Sequence, residues 1–191
     1  VEDKRVRTKF LVNAVAVEGT LIQTGYEAAG NFSGFEIFDE VDASELAEKA
    51  AARAVKMLEA KPAPSGRMPV VMTADSGGTM VHEACGHGLE ADLVQKKLSV
   101  YSGKIGEQVA SPEITVIDDA TMNKYGYMGW DDEGVRGRKN VLIKDGILEG
   151  YMYDRLTAMK DGKDSTGNGR RESYQSRPIP RMTNTYIDKG K

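Results

Sequence analysis

The chain has 191 residues, of which 40% are hydrophobic and 29% are charged, a composition typical of a globular protein with its own core. A formal net charge of −3 argues against a surface that binds nucleic acid, and apolar runs as short as residues 10–17 predict no membrane span. A single cysteine excludes an internal disulfide and fits a reducing compartment, so we expect a cytoplasmic protein.

The first third of the chain predicts two strands followed by a helix. Residues 5–18 and 20–27 alternate and are rich in Val, Thr and Ile, with a turn at Gly19 between them. Residues 42–60 carry an apolar stripe at helical spacing, with Asp42 as a capping residue. Proline and glycine at 61–66 then predict a linker. We therefore expect an N-terminal α+β lobe over residues 1–64.

The second lobe, residues 65–191, is expected to hold one long helix and a strand-rich region. Asp145-Gly146 is the strongest hairpin turn in the sequence. The predicted elements are a strand at 68–73, a helix at 78–96, strands at 114–117, 140–143 and 147–153, and loops at 125–138 and 161–171. The fold class is α+β, with antiparallel strands and a few helices.

Residues 82–87, His-Glu-Ala-Cys-Gly-His, hold both histidines and the only cysteine of the chain. In the H-E-x-x-H motif two histidines four apart share one helix face. Here they are five apart, which on a regular helix separates them by about 140°. One extra residue in the turn, a π-bulge, would bring them together, and Gly86 is where the backbone deforms at least steric cost. We therefore predict a helix distorted near Gly86.

The chemistry expected of this segment is hydrolysis at a metal ion. His82 and His87 would bind Zn²⁺ or another divalent transition metal, and Glu83 would act as general base towards a metal-activated water. Catalytic zinc takes three protein ligands. Cys85 and Glu90 are the local candidates for the third ligand or for a supporting role, and spacing does not decide between them.

Two further segments are open to more than one interpretation. The loop at 167–172, Gly-Asn-Gly-Arg-Arg-Glu, is either a flexible basic loop, which spacing alone favours, or the lining of a cleft. In the second case Asn168, Arg170 and Arg171 would hold a peptide. The acidic run at 131–133 lacks the spacing of a calcium loop and is interpreted as a solvated turn.

Six ordered motifs together resemble the TldD side of the TldD/PmbA peptidase family, most closely between residues 70 and 186. They are His-Glu-Ala-Cys-Gly-His-Gly-Leu-Glu at 82–90, Ile-Asp-Asp at 117–119, Asp-Asp-Glu-Gly at 131–134, Asn-Val-Leu-Ile at 140–143, Gly-Asn-Gly-Arg-Arg-Glu-Ser-Tyr at 167–174 and Pro-Arg-Met-Thr-Asn-Thr at 180–185.

The resemblance implies a cytoplasmic metallopeptidase that acts on unfolded peptides. It makes His82 and His87 metal ligands and Glu83 the base. Such subunits pair with each other or with PmbA-like (TldE) partners that lack the motif. They are more than twice as long as this chain, and their C-terminal region supplies a cysteine as third ligand. The resemblance therefore implies an incomplete and inactive fragment, and the rival hypothesis is a non-catalytic peptide-binding or assembly module.

Overall fold

The computed structural model describes residues 2–190, apart from the side chain of Asp75. The chain forms two compact units, one from Arg5–Val70 and the other from residue 71 onward together with the N-terminal stretch before Arg5. Helices and antiparallel strands occur in both, so the predicted α+β class is confirmed. Among the described residues, no helix combines the length and the apolar character needed to cross a bilayer.

The first unit is built on one long hairpin. Strands β1 (Thr8–Glu18) and β2 (Leu21–Asn31) pair antiparallel in a continuous register, from Thr8 opposite Asn31 to Glu18 opposite Leu21. The two residues between the strands include Gly19, whose φ of 60° suits a tight turn. The second strand ends four residues later than predicted, because pairing with β1 extends a segment whose own sequence, Ala28-Ala29-Gly30, carries little strand signal.

One helix covers one face of this hairpin. A short helix, α1 (Ile37–Glu40), precedes α2 (Ala43–Leu58), which begins where the Asp42 carboxylate accepts from the N–H groups of Ser44 and Glu45. The predicted helix and its cap are therefore confirmed. Gly25 lets α2 lie directly on β2, since a Cβ there would stand 1.9 Å from the carbonyl oxygen of Ala50.

The other face of the hairpin is apolar and exposed. Its side chains point away from α2 by the alternation of the strands. The large apolar members, each at least 42% exposed, are Leu11, Val15, Val17, Ile22 and Tyr26.

The predicted strand at residues 68–73 is wrong: this segment has no ladder, and Val71 is fully exposed.

The second unit opens with the segment that bears both histidines. Helix α3 (Ala74–Val81) begins four residues earlier than predicted and runs into a π-helical turn at His82–Gly86. A 3-10 turn at His87–Leu89 and the short helix α4 (Ala91–Gln95) follow. The single helix predicted over residues 78–96 is thus interrupted twice, and its distortion at Gly86 is confirmed.

A four-stranded antiparallel sheet forms the centre of this unit. Its strand order is β5-β4-β3-β8, and the strands are β3 (Val116–Asp119), β4 (Lys139–Lys144), β5 (Ile147–Leu148) and β8 (Thr185–Ile187). The predicted hairpin turn at Asp145-Gly146 is confirmed, and both turn residues have positive φ, 45° and 81°. Its second strand ends at Leu148 and does not reach residue 153 as predicted. The predicted strand at 114–117 lies two residues further on.

The remaining elements of the unit are short. Helix α5 (Arg155–Asp161), which the sequence analysis missed, starts at a capping box between Asp154 and Thr157. Strands β6 (Gly169–Arg170) and β7 (Ile179–Pro180) pair with each other. The acidic run at 131–133 is a turn, as predicted, but it is not solvated throughout: Asp131 is buried, and its carboxylate accepts from backbone N–H groups of Glu133 and Val135.

The core of this unit joins the histidine segment to the sheet. Leu89, Val116, Leu142, Leu148 and Met152 are among its buried members. The backbone between the 3-10 turn and α4 is also bonded to residue 152, since Ala91 N–H donates to Met152 and Met152 N–H donates to Leu89. The segment that follows His87 is therefore held rigidly against the sheet.

Candidate metal centre

The π-helical turn brings the two histidines together. In it, the backbone N–H of His87 donates to the carbonyl of His82, five residues earlier. A helical turn closed by a hydrogen bond between residues i+5 and i brings residue i+5 back to the face on which residue i lies, whereas a regular α-helix does not. The two imidazole rings accordingly meet edge to face, with centroids 4.8 Å apart.

Glu83 completes a group of three side chains that could hold a metal ion. One ligand atom from each of His82, Glu83 and His87 lies within 4.8 Å of the other two. His82 and Glu83 are exposed and His87 is half-buried, so a ligand arriving from solvent can reach all three. Two imidazoles and a carboxylate are donors that suit zinc and similar transition metals, and the residues present therefore fit such an ion.

Gly86 has a role in this turn other than the one the sequence suggested. Its φ of −55° and ψ of −58° are ordinary right-handed helical values, open to any residue. The glycine is needed for space, because a Cβ at this position would stand 2.0 Å from the Sδ of Met182. Met182 is itself buried, so the π turn is packed tightly against the segment that contains it.

Among the described residues, Cys85 is not part of the group formed by His82, Glu83 and His87. It is half-buried and packs against the core cluster. Tyr101 packs against the same cluster, and burial, followed by the interaction with Cys85, raises the pKa of Tyr101 to about 12. The structure thus places Cys85 on the core side of the turn.

Glu90 lies directly behind His87. Its side chain is fully buried, and its two oxygens have different partners: Oε1 is 3.2 Å from His87 Nδ1, and Oε2 is 2.6 Å from Arg181 Nη1. Burial raises the pKa of the Glu90 carboxyl, while the Arg181 guanidinium and His87 oppose that rise. Glu90 was a candidate either for the third metal ligand or for a residue that orients a ligand, and this geometry favours the second role.

The three residues suggested for peptide binding have different surroundings. Asn168 is fully buried, and its side-chain amide donates to Asp118 and to the carbonyl of Arg181, so it has no surface to offer a peptide. Arg170 donates to the carbonyl of Met182. Arg171 is exposed and donates to the carbonyl of Ser176. The structure corrects the proposed role of Asn168, which belongs to the interior.

Asp118 organises the same region, and sequence reasoning did not single out its role. This buried carboxylate accepts from Thr183 N–H at 2.7 Å, Thr183 Oγ1 at 2.8 Å, Thr185 Oγ1 at 2.7 Å and Asn168 Nδ2 at 2.7 Å. It ties the end of β3 to residues 183–185. The sequence did contain a signal for this role: two aspartates come directly after an apolar strand, and a run rich in threonine occurs later in the chain.

Two family descriptions together account for almost the whole chain. Residues 1–58 match the "PmbA/TldA metallopeptidase central domain" and residues 65–191 match the "PmbA/TldA metallopeptidase C-terminal domain". The site and these matches define a protein of the metallopeptidase class.

Similar proteins agree with this class. A protein of Haemophilus influenzae named "Metalloprotease TldD homolog" is 52% identical over 97% of this chain, and a metalloprotease of Methanocaldococcus jannaschii is 43% identical over 100% of it. The chain belongs to the TldD/PmbA family of metallopeptidases. It spans 40% and 42% of the length of these two relatives.

Solved structures share the fold. A Thermotoga maritima protein described as a modulator of DNA gyrase superposes with a TM-score of 0.78 at 26% identity, over 96% of this chain and 40% of its own. TldE from Thermococcus kodakarensis superposes with a TM-score of 0.74 at 24% identity, over 97% of this chain and 41% of its own. The second likeness concerns the fold alone.

Proposed function

We propose that this chain is the part of a peptidase subunit that carries the metal-binding motif. His82 and His87 bind Zn²⁺, or another divalent transition metal, and Glu83 is the general base. The observation that carries the proposal is the π-helical turn, which puts both imidazoles and the intervening carboxylate within 4.8 Å of one another. This deformation of a helix has a clear use if one ion is bound by both histidines.

Each of the three side chains has a separate task in this proposal. The bound ion would lower the pKa of its water molecule, so that the water can lose a proton at neutral pH. The two neutral imidazoles hold the ion, and His87 is oriented for this by Glu90 behind it. Glu83 is exposed and so can accept a proton from water and pass it to the departing amine of a peptide.

The third ligand is proposed to lie outside these 191 residues. Cys85 packs against the core, and Glu90 contacts the Nδ1 side of His87 and Arg181, so neither local candidate belongs to the group formed by His82, Glu83 and His87. Two imidazoles alone give weak zinc sites compared with three-ligand sites. We therefore infer that the chain by itself is inactive, and that the complete subunit is active.

The substrate and the partner follow from the same proposal. The substrate is an unfolded peptide, which a site on an open helical turn can accept, and Arg170 and Arg171 lie on the segment proposed to border it. The partner is a second copy or a TldE-like subunit. We place this activity in the cytoplasm and propose no nucleic-acid or membrane partner.

The test uses the complete subunit with an unstructured reporter peptide. Glu83→Gln keeps the shape of the side chain and removes the base, so cleavage should fall by about 10²–10⁴-fold. Metal content, measured by elemental mass spectrometry, should stay at the native level. The matched control is Glu113→Gln, at an exposed position remote in sequence, which should cleave normally.

The rival hypothesis is a peptide-binding module without catalysis. It predicts that the native complete subunit binds the peptide and leaves it intact, whatever stands at position 83. Peptide cleavage that survives Glu83→Gln would also contradict the proposed mechanism, because it would assign the base to another group.

A further inference from the structure

The segment at residues 179–185 contacts the metal-binding turn at two adjacent positions. Met182 fills the space beside Gly86, and Arg181 reaches Glu90. From this arrangement we infer that Arg181 is a positioning residue for the metal ligand His87, acting through Glu90. The inference rests on the proposed function, because it takes His87 to be a metal ligand.

The first step is the contact between Glu90 and His87. With the Arg181 guanidinium beside it, Glu90 is taken as a carboxylate, which accepts hydrogen bonds and donates none, so His87 Nδ1 would carry the proton in the 3.2 Å contact. The lone pair of His87 is then on Nε2, at the other side of the ring, and is available to a metal ion. A carboxylate behind a histidine ligand fixes both the tautomer and the orientation of the ring.

The second step is the contact between Glu90 and Arg181. Glu90 is fully buried, where a carboxylate lacks water and is stable only with partners. The guanidinium of Arg181, 2.6 Å away, supplies the opposite charge and a donor to Oε2. Oε1 therefore remains directed at His87, and Arg181 fixes the orientation of the Glu90 carboxylate.

The third step is that Arg181 is itself held in place. Its backbone N–H donates to the carbonyl of Asn168 at 2.9 Å, and the Asn168 side chain donates to the carbonyl of Arg181 at 3.0 Å. Its guanidinium also donates to the carbonyl of Pro180. Asn168 is in turn bonded to Asp118, so the buried network around Asp118 reaches His87 by way of Arg181.

Histidine tautomers give a readout that needs neither metal nor activity. The chain has only two histidines, so nitrogen-15 NMR of the rings in the 191-residue chain resolves His87 from His82, and His82→Ala assigns them. At a pH above the histidine range, native His87 should carry its proton on Nδ1. In Arg181→Gln, the signal of the Nε2-protonated form, which an unrestrained imidazole favours, should appear for His87 while His82 stays unchanged.

The second readout is the affinity for Zn²⁺, measured by competition with a chromogenic chelator. Loss of a supporting partner should weaken binding by about 10–100-fold. The control is Arg177→Gln, which removes an exposed arginine four residues earlier in the chain. It should leave both the tautomer and the zinc affinity at native values.

The inference is overturned if folded Arg181→Gln keeps the native tautomer of His87 and a zinc affinity within twofold of native. If that variant does not fold by circular dichroism, Arg181→Met, which keeps the aliphatic stem without charge or donors, decides by the same two measurements. These outcomes are distinct from failure of the proposed function, which would appear as absence of peptide cleavage by the complete subunit.

Discussion

The Sδ atom of Met182 occupies the space that a side chain at Gly86 would need: the two would be 2.0 Å apart. The contact joins the π-helical turn to a segment 96 positions later in the chain. Because the backbone of Gly86 is ordinary right-handed helix, the glycine serves packing and not an unusual conformation.

Gly86→Ala is therefore expected to destabilise the protein, although alanine is normally the better helix former. The added methyl group must displace buried Met182, and overpacking of this kind costs about 1–3 kcal/mol. Urea unfolding followed by the fluorescence of Trp130, the only tryptophan, measures the unit that carries the site.

The control for this prediction is Gly78→Ala in helix α3. A Cβ there meets no atom within 4 Å, so the free energy of unfolding should be unchanged or higher by up to about 1 kcal/mol. In a Met182→Ala background the penalty of Gly86→Ala should disappear, since its cause has been removed. Equal stabilisation by both glycine replacements would contradict the packing role.

What could be predicted from the sequence was local. The distorted turn followed from two histidines five apart, the capped helix α2 from Asp42 and its apolar stripe, and the β4–β5 hairpin from Asp145-Gly146. Each of these signals lies within a few residues of the structure it specifies. The capping box of Asp154 and Thr157 was equally local, and α5 was overlooked despite it.

What could not be predicted depends on residues far apart in the chain. Glu90 and Arg181 are separated by 91 positions, so spacing could not choose between Glu90 as ligand and Glu90 as support. Asn168 lay in a loop rich in glycine, and only the partners supplied by Asp118 and Arg181 explain its burial. The apolar run at 68–73 resembled a strand, but a strand requires a neighbour to pair with.

Asp118→Ala should be among the most damaging replacements in the chain. It would leave the buried amide of Asn168 and the partly buried donors of Thr183 and Thr185 without their acceptor, a loss expected to cost about 3–5 kcal/mol. The same urea measurement reports it. Asp164→Asn, at an exposed position, should be within about 0.5 kcal/mol of native, as is usual for surface replacements.

Glu133→Gln should stabilise the protein at neutral pH. Burial, followed by the nearby charges of Asp154 and Asp131, raises the pKa of the Glu133 carboxyl, although the N–H of Arg155 donates to it and opposes that rise. A group whose pKa is higher in the folded state favours folding while protonated and loses that advantage as pH rises through the folded value. The ionised side chain therefore costs stability at pH 7.

The measurement is the free energy of unfolding at two pH values. The gain from Glu133→Gln should be present at about pH 7 and disappear below about pH 4, where the unfolded carboxyl is also protonated. Glutamine keeps an oxygen to accept from Arg155, so the hydrogen bond is retained. A gain of equal size at both values would show that charge is not its cause.

Zinc should stabilise the unit that carries the histidine pair, and the chain offers a test of which side chains take part. A ligand at one hundred times its dissociation constant adds about 2.7 kcal/mol to the free energy of unfolding. This increment should be lost in His82→Ala and in His87→Ala, each of which removes one of the two imidazoles that lie 4.8 Å apart. It should persist in Cys85→Ser, because Cys85 packs against the core cluster and is not grouped with the histidines. Loss of the increment in Cys85→Ser would instead mean that the thiol turns from Tyr101 to the metal, and the third ligand would then lie within the turn itself.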